Sequence, residues 1–141
     1  MTIKAGQDEI IADFEMFGDW MEKYEYIIQL GKELPQIAEQ YKTDENLIRG
    51  CQSKVWLHAE YQDGLLVFTA DSDAAITKGL VSMVIRVLSG HSPEEIAGAE
   101  IYFIDAIGLR NHLSSTRSNG LLSMLKQIKL YALAYQAKSL Q

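Results

Sequence analysis

The dipeptide Asp63-Gly64 constrains this chain more than any other feature. It is a strong two-residue hairpin signal between two strand-like runs. Upstream, Lys54 to Tyr61 alternates, with Val55, Leu57, Ala59 and Tyr61 on one face and Trp56, His58 and Glu60 on the other, and Gln62 closes the run. Downstream, Leu65 to Thr69 is apolar on both faces, which predicts a strand inside a sheet rather than at its edge.

Helical periodicity surrounds this hairpin. Asp8 to Phe17 carries Ile10, Ile11, Phe14 and Phe17 at helical spacing until Gly18 breaks it. Asp19 can cap a second helix whose Trp20, Tyr24, Ile27 and Ile28 form a core-facing stripe, ended by Gly31 and Pro35. Gln36 to Asn46 reads as a polar loop with one short helical turn. Asp71-Ser72-Asp73 offers N-caps for a helix from Ala74 to Leu88, burying Ile76, Leu80, Met83, Val84, Val87 and Leu88 before Ser89-Gly90 stops it. Ser92-Pro93-Glu94-Glu95 is a capping box opening a short helix through Ala97.

Ile101 to Ile104 reads as a third strand, Ile107-Gly108-Leu109 as a helix stop, and Asn111 to Thr116 as a polar loop. A last helix is predicted from Arg117 to Ala137, with Leu121, Leu125, Ile128, Ala132 and Tyr135 packing it on the sheet. Met16, Met21, Met83 and Met124 read as core filler. The expected fold is α+β, with a small antiparallel sheet of about three strands packed against several helices in one domain, residues 1–141.

Charge narrows the partners. Lys plus Arg is 13 against 19 for Asp plus Glu, a net −6, which disfavours nucleic acid and anionic membranes and suits a partner with a basic docking surface. No apolar run approaches membrane-spanning length, and the opening residues have no signal-peptide core, so a soluble, cytoplasmic protein is expected.

The 141 residues include one cysteine, which cannot form an internal disulfide or build a Cys-rich zinc or iron–sulfur site alone. His58 and His91 offer no metal-ligand spacing, and no metal is assigned. Cys51 lies in Ile48-Arg49-Gly50-Cys51-Gln52-Ser53-Lys54-Val55-Trp56, just ahead of the first strand. A lone cysteine is commonly a small buried hydrophobe. Here Arg49, Gly50, Gln52 and Ser53 are loop residues, and Gly50 allows a tight turn that leaves one side of the sulfur uncovered. Arg49 and Lys54 place two cations nearby, a setting expected to favour thiolate. A reactive thiol on a loop is the better reading.

Four segments together resemble the SufE/CsdE sulfur-acceptor proteins, whose fold is also like the IscU-type scaffolds. They are Asp19 to Pro35 (DWMEKYEYIIQLGKELP), Arg49 to Trp56 (RGCQSKVW), Ala70 to Leu80 (ADSDAAITKGL), and Ile107-Gly108-Leu109 followed by His112-Leu113-Ser114 and Arg117-Ser118-Asn119-Gly120-Leu121. The likeness spans about Phe14 to Leu133 in order. It implies a protein that takes sulfur from a PLP-dependent cysteine desulfurase of the SufS/CsdA kind and stimulates it. Sulfur would be held as a transient persulfide on Cys51 and delivered to an iron–sulfur scaffold.

No resident cofactor is implied, since PLP belongs to the desulfurase. The resemblance makes Arg117 a candidate to stabilise the persulfide anion, and Arg49 is a second candidate on charge alone. It also points to His112 as a loop-positioning residue. Asp71 and Asp73 would lie near the Cys loop and the partner surface, with Gly50 and Gln52 completing the loop. Ser115-Thr116 stands where the family commonly has Pro-Ser. No nucleic acid or membrane partner is expected, and the protein is expected to be a monomer or weak homodimer. Two other classes stay open: a cysteine hydrolase or transferase using Cys51 with His58 or His112 and Asp73, and an interaction module with an incidental thiol.

Overall fold

The computed structural model describes residues 1–51 and 53–139. The predicted hairpin forms: β1 (Val55–Gln62) pairs antiparallel with β2 (Leu65–Ser72), in register from Val55 opposite Ser72 to Gln62 opposite Leu65. Asp63 and Gly64 take φ of 52° and 84°, the pair of positive values that a two-residue primed turn requires. Among the described residues the sheet has these two strands, not three.

The third-strand prediction fails for a reason set far away in sequence. The first helix, α1 (Ile3–Glu15), carries a buried Gln7. Its Oε1 accepts the backbone N–H groups of Tyr102 and Phe103 at 2.8 and 3.2 Å, while its Nε2 donates to the Glu100 carbonyl at 3.1 Å. One amide side chain thus supplies partners that a neighbouring strand would otherwise have to provide.

The prediction that β2 lies inside a sheet also fails. Its outer edge is covered by other means. Leu66 N–H donates to the His91 carbonyl at 2.8 Å, Phe68 N–H to Ser89 Oγ at 2.9 Å, and Ala70 N–H to the Pro35 carbonyl at 3.1 Å. Leu66, Phe68 and Ala70 are buried, so the strand reads like an interior one without being one.

Helix α1 starts five residues earlier than expected, capped by Thr2 Oγ1, which accepts Ala5 N–H at 3.0 Å. The earlier start places Ile3, Gln7, Ile10 and Phe14 on one buried stripe. Helix α2 (Trp20–Gly31) begins where Asp19 predicts, its Oδ1 accepting Glu22 N–H at 2.9 Å. The loop that follows holds two short 3-10 turns, Glu39–Tyr41 and Asp44–Asn46.

Helix α3 (Ala75–Leu88) is the centre of the molecule, with Val81 and Ile85 buried in addition to most of the predicted stripe. It packs on α2 with the two backbones in near contact: a Cβ built on Gly79 would lie 2.0 Å from the Ile27 carbonyl oxygen. No side chain of Asp71-Ser72-Asp73 caps α3, because β2 runs on to Ser72 and the two aspartates are engaged elsewhere.

The Ser92 cap forms, its Oγ accepting Glu95 N–H at 3.2 Å to open α4 (Pro93–Gly98), while Glu95 Oε1 takes the Ser92 hydroxyl at 3.1 Å in place of the backbone N–H of a full capping box. Two one-turn helices follow, α5 (Phe103–Ala106) and α6 (Leu109–His112), separated at Gly108 with φ 79°. The last helix, α7 (Ser115–Ser139), is capped by Ser114 Oγ, which accepts Arg117 N–H at 3.2 Å. It lies along α4 and α3 and reaches the hairpin through ring contacts of Tyr131 with Phe68 and Tyr135 with Tyr61.

Met83 and Met124 are buried, but Met16 and Met21 are 80% and 70% exposed and fill no core. Among the described residues no helix is long and apolar enough to cross a membrane.

Candidate functional site

The cysteine loop is a short span between clamped ends. Ile48 N–H donates to the Val55 carbonyl at 2.8 Å, which closes the neck. One residue inside it, Lys54 N–H donates to Asp73 Oδ1 at 3.0 Å, and Asp73 N–H returns to the Lys54 carbonyl at 3.3 Å. Ser53 Oγ accepts from Thr77 Oγ1 at 3.5 Å, tying the loop weakly to α3. Gly50 turns the chain with φ 89°, a value an L side chain rarely adopts. The predicted candidate Gln52 lies outside the described residues.

The tip leans on α7. Cys51 is half-buried, and its Sγ–H donates to the Gly120 carbonyl at 3.5 Å. Burial pushes the Cys51 thiol up from its ordinary pKa. A carbonyl oxygen facing the sulfur also favours the protonated form, since it accepts from a thiol and repels a thiolate. The expectation that Arg49 and Lys54 favour thiolate is therefore corrected for the resting loop. Lys54 is exposed and contributes its backbone to Asp73. Arg49 does not line the cavity beside the sulfur; it lines a separate groove of about 310 Å³ with Glu45, Ser123, Lys126 and Leu130.

Arg117 does share a cavity with Cys51. The space is about 20 Å³, and Ser53, Thr77, Leu80 and Met124 also line it. That is room for roughly one water-sized atom. Arg117 stands in the first turn of α7, held by the Ser114 cap.

The remaining candidates lie apart from that cavity. His112 stacks on Trp20 with ring centroids 3.7 Å apart, and its Nδ1 lies 3.1 Å from the Gly108 carbonyl. A carbonyl can only accept, so Nδ1 carries the proton in this arrangement. Tyr24 Oη–H donates to the His112 carbonyl. His58 stacks on Tyr41 and pairs with Glu60 at 3.3 Å. Neither histidine lines the Cys51 cavity, and the described residues show no Cys–His–Asp constellation around it. Among them, no group of three or more His, Cys, Asp or Glu is arranged to hold a metal.

Asp71 anchors a separate cluster. Its carboxylate meets Lys42 Nζ at 2.7 Å and Lys78 Nζ at 3.3 Å, and accepts Ser72 N–H at 2.9 Å. Burial alone would raise its pKa, but these partners together hold the carboxyl below the ordinary 3.8. A depressed folded-state pKa means stabilisation that is fully present above the unfolded value and lost as pH falls through the folded one. Asp71→Asn is therefore expected to lower Tm at neutral pH, with the gap to wild type closing below about pH 4. Thermal melts from pH 7 to pH 2.5 check this; a pH-independent gap would remove the ion pairs as the cause.

Sequence reading missed Gly120, whose signal is a glycine inside a helical pattern, a placement that usually has a packing reason.

Residues 8–132 match the SufE family, described as an Fe-S metabolism associated domain. An uncharacterized SufE-like protein of Rhizobium etli is 45% identical over 130 residues, covering 89% of this chain and 88% of the relative. A similar protein of Rhizobium meliloti is 46% identical over 127 residues, covering 86% and 91%. A solution structure of a hypothetical protein from Thermus thermophilus shares the fold at TM-score 0.77 with 16% identity, covering 94% of this chain and 96% of that one. With the family matched over most of its length and close relatives named for it, this chain belongs to the SufE family.

Proposed function

We propose that this protein accepts sulfur on Cys51 from a PLP-dependent cysteine desulfurase, stimulates that enzyme by relieving it of its persulfide, and delivers the sulfur for iron–sulfur cluster assembly. The observation that carries the reading is the half-buried Cys51 beside a cavity the size of one extra atom, with Arg117 on its wall.

The step balances without an outside oxidant. Cys51 loses its proton, and the thiolate attacks the outer sulfur of the donor persulfide. A new S–S bond forms to Cys51 as the donor's S–S bond breaks, and the donor cysteine leaves as thiolate and takes up a proton. Rate in such exchange follows thiolate fraction, leaving group and access. The resting loop restricts the first and third, so the partner must draw Cys51 away from the Gly120 carbonyl for attack. Arg117 then offers a fixed positive charge to the persulfide anion, which stays ionised at neutral pH. Asp73, clamped to the base of the loop, limits which residues move. The protein works in the cytoplasm as a covalent carrier, consumed by the donor and regenerated by the acceptor.

The test is intact-protein mass after mixing with a cysteine desulfurase and free cysteine without reductant. The expected result is a gain of one or more sulfur atoms, reversed by dithiothreitol. No gain with several different desulfurases would overturn the reading.

A further inference from the structure

We infer that Gly120 is the seat of Cys51: the missing side chain at this position lets the loop rest against α7 and thereby sets how readily the thiol becomes accessible. The inference deepens the proposed function and rests on Cys51 being the sulfur-accepting thiol.

Glycine is a poor choice inside a helix, because it loses more backbone freedom on folding than alanine does. Gly120 nonetheless lies inside the 25-residue α7 and is buried. What covers it is the cysteine loop. A Cβ built there would stand 3.1 Å from Cys51 Sγ, 3.3 Å from Cys51 Cα and 3.5 Å from Cys51 Cβ. Among the described residues no other neighbour comes nearer, so the space that the glycine leaves is filled by Cys51 itself.

The same surface of α7 is met from the other side. A Cβ on Gly50 would lie 2.9 Å from Ser123 Oγ, one helical turn beyond Gly120. Loop and helix therefore touch through two glycines, one from each partner. Among the described residues, the polar bond between the tip and α7 is the weak thiol–carbonyl contact at 3.5 Å. The resting position depends on fit far more than on bonding, which suits a loop that must leave.

If a side chain is added at Gly120, something has to give. The α7 backbone is held by its own ladder and by α4 and α3. The loop tip has no such ladder, so it gives by the few tenths of an ångström that the contact requires and takes the sulfur with it.

The experiment measures iodoacetamide alkylation of Cys51 together with Tm, in wild type, Gly120→Ala and Asn119→Ala. Asn119 is exposed on the same turn, so its variant raises helix propensity without adding bulk beneath the sulfur. The expected result is alkylation faster on the order of tenfold in Gly120→Ala, since the rate follows thiolate fraction and access. Its Tm should be unchanged or raised, and Asn119→Ala should alkylate at the wild-type rate. Unchanged alkylation in a folded Gly120→Ala would overturn the inference. So would an equal rise in Asn119→Ala, which would trace the effect to the helix, or a large fall in Tm, which would show that the loop cannot yield alone. Sulfur uptake by the wild-type protein, read by mass, tests the underlying function separately.

Discussion

Replacing Cys51 with serine is expected to abolish sulfur uptake and leave the fold intact. The half-buried sulfur touches α7 at the Gly120 carbonyl, and a serine hydroxyl can donate to the same oxygen. Serine is smaller, so it adds no crowding to a cavity of about 20 Å³. The stability change should stay within about 1 kcal/mol, as for substitutions that create no large void or orphaned group. Chemistry is a different matter. A serine hydroxyl is not ionised to a useful degree at neutral pH, and it cannot form an S–S bond. Binding to the desulfurase should survive, because the loop backbone and Asp73 clamp remain. Mass spectrometry with a desulfurase and cysteine, run beside a pull-down of the complex, reads both halves. Retained sulfur on the serine variant would mean that another group carries it.

Alanine at Gly79 should do the opposite, damaging the fold before any chemistry. Propensity alone would make Gly→Ala in α3 favourable by about 1 kcal/mol. The new Cβ would lie 2.0 Å from the Ile27 carbonyl oxygen and 2.6 Å from its carbon, deep inside van der Waals contact. Those atoms are backbone, and they cannot swing aside as a side chain can. Helices α2 and α3 must slide apart, which loosens the packing of Ile27, Leu30, Leu80 and Met83. Overpacking typically costs about 1–3 kcal/mol when side chains can adjust, and about 3 kcal/mol or more is expected here. Against a usual total of roughly 5–15 kcal/mol, that is a large loss. Urea denaturation should show a much lower midpoint; an unchanged midpoint would show that the two helices separate freely. The same substitution thus has opposite expected outcomes at Gly79 and Gly120. In one case the neighbour is a core carbonyl, and in the other a surface loop.

These contrasts mark what local sequence can and cannot say. The hairpin, the Asp19 cap and the Ser92 cap are written in a few adjacent residues, and each formed where its turn chemistry placed it. The segment Ile101 to Ile104 is apolar because Phe103 and Ile104 are buried, yet its amides are served by Gln7, 95 positions away from Tyr102. No local pattern reveals that. Asp71-Ser72-Asp73 has the composition of a cap, but its carboxylates are claimed by Lys42, Lys78 and the Lys54 amide.

At the site, the cysteine and its loop were legible from Gly50 and the polar flanks. The electrostatics were not, because charge proximity along the chain put Arg49 beside the sulfur while in the fold Arg49 lines a different groove from the Cys51 cavity. Arg117 was legible through family likeness alone, and the fold places it on the Cys51 cavity wall.

The covered edge of β2 has its own consequence. A bare edge invites an extended segment of another chain to add on as a further strand, which is a route to adventitious pairing and to aggregation. Here the amides of Leu66, Phe68 and Ala70 are already taken by His91, Ser89 and Pro35. A visiting peptide would find that side of the hairpin shut, and whatever meets this protein there must recognise its side chains rather than its backbone.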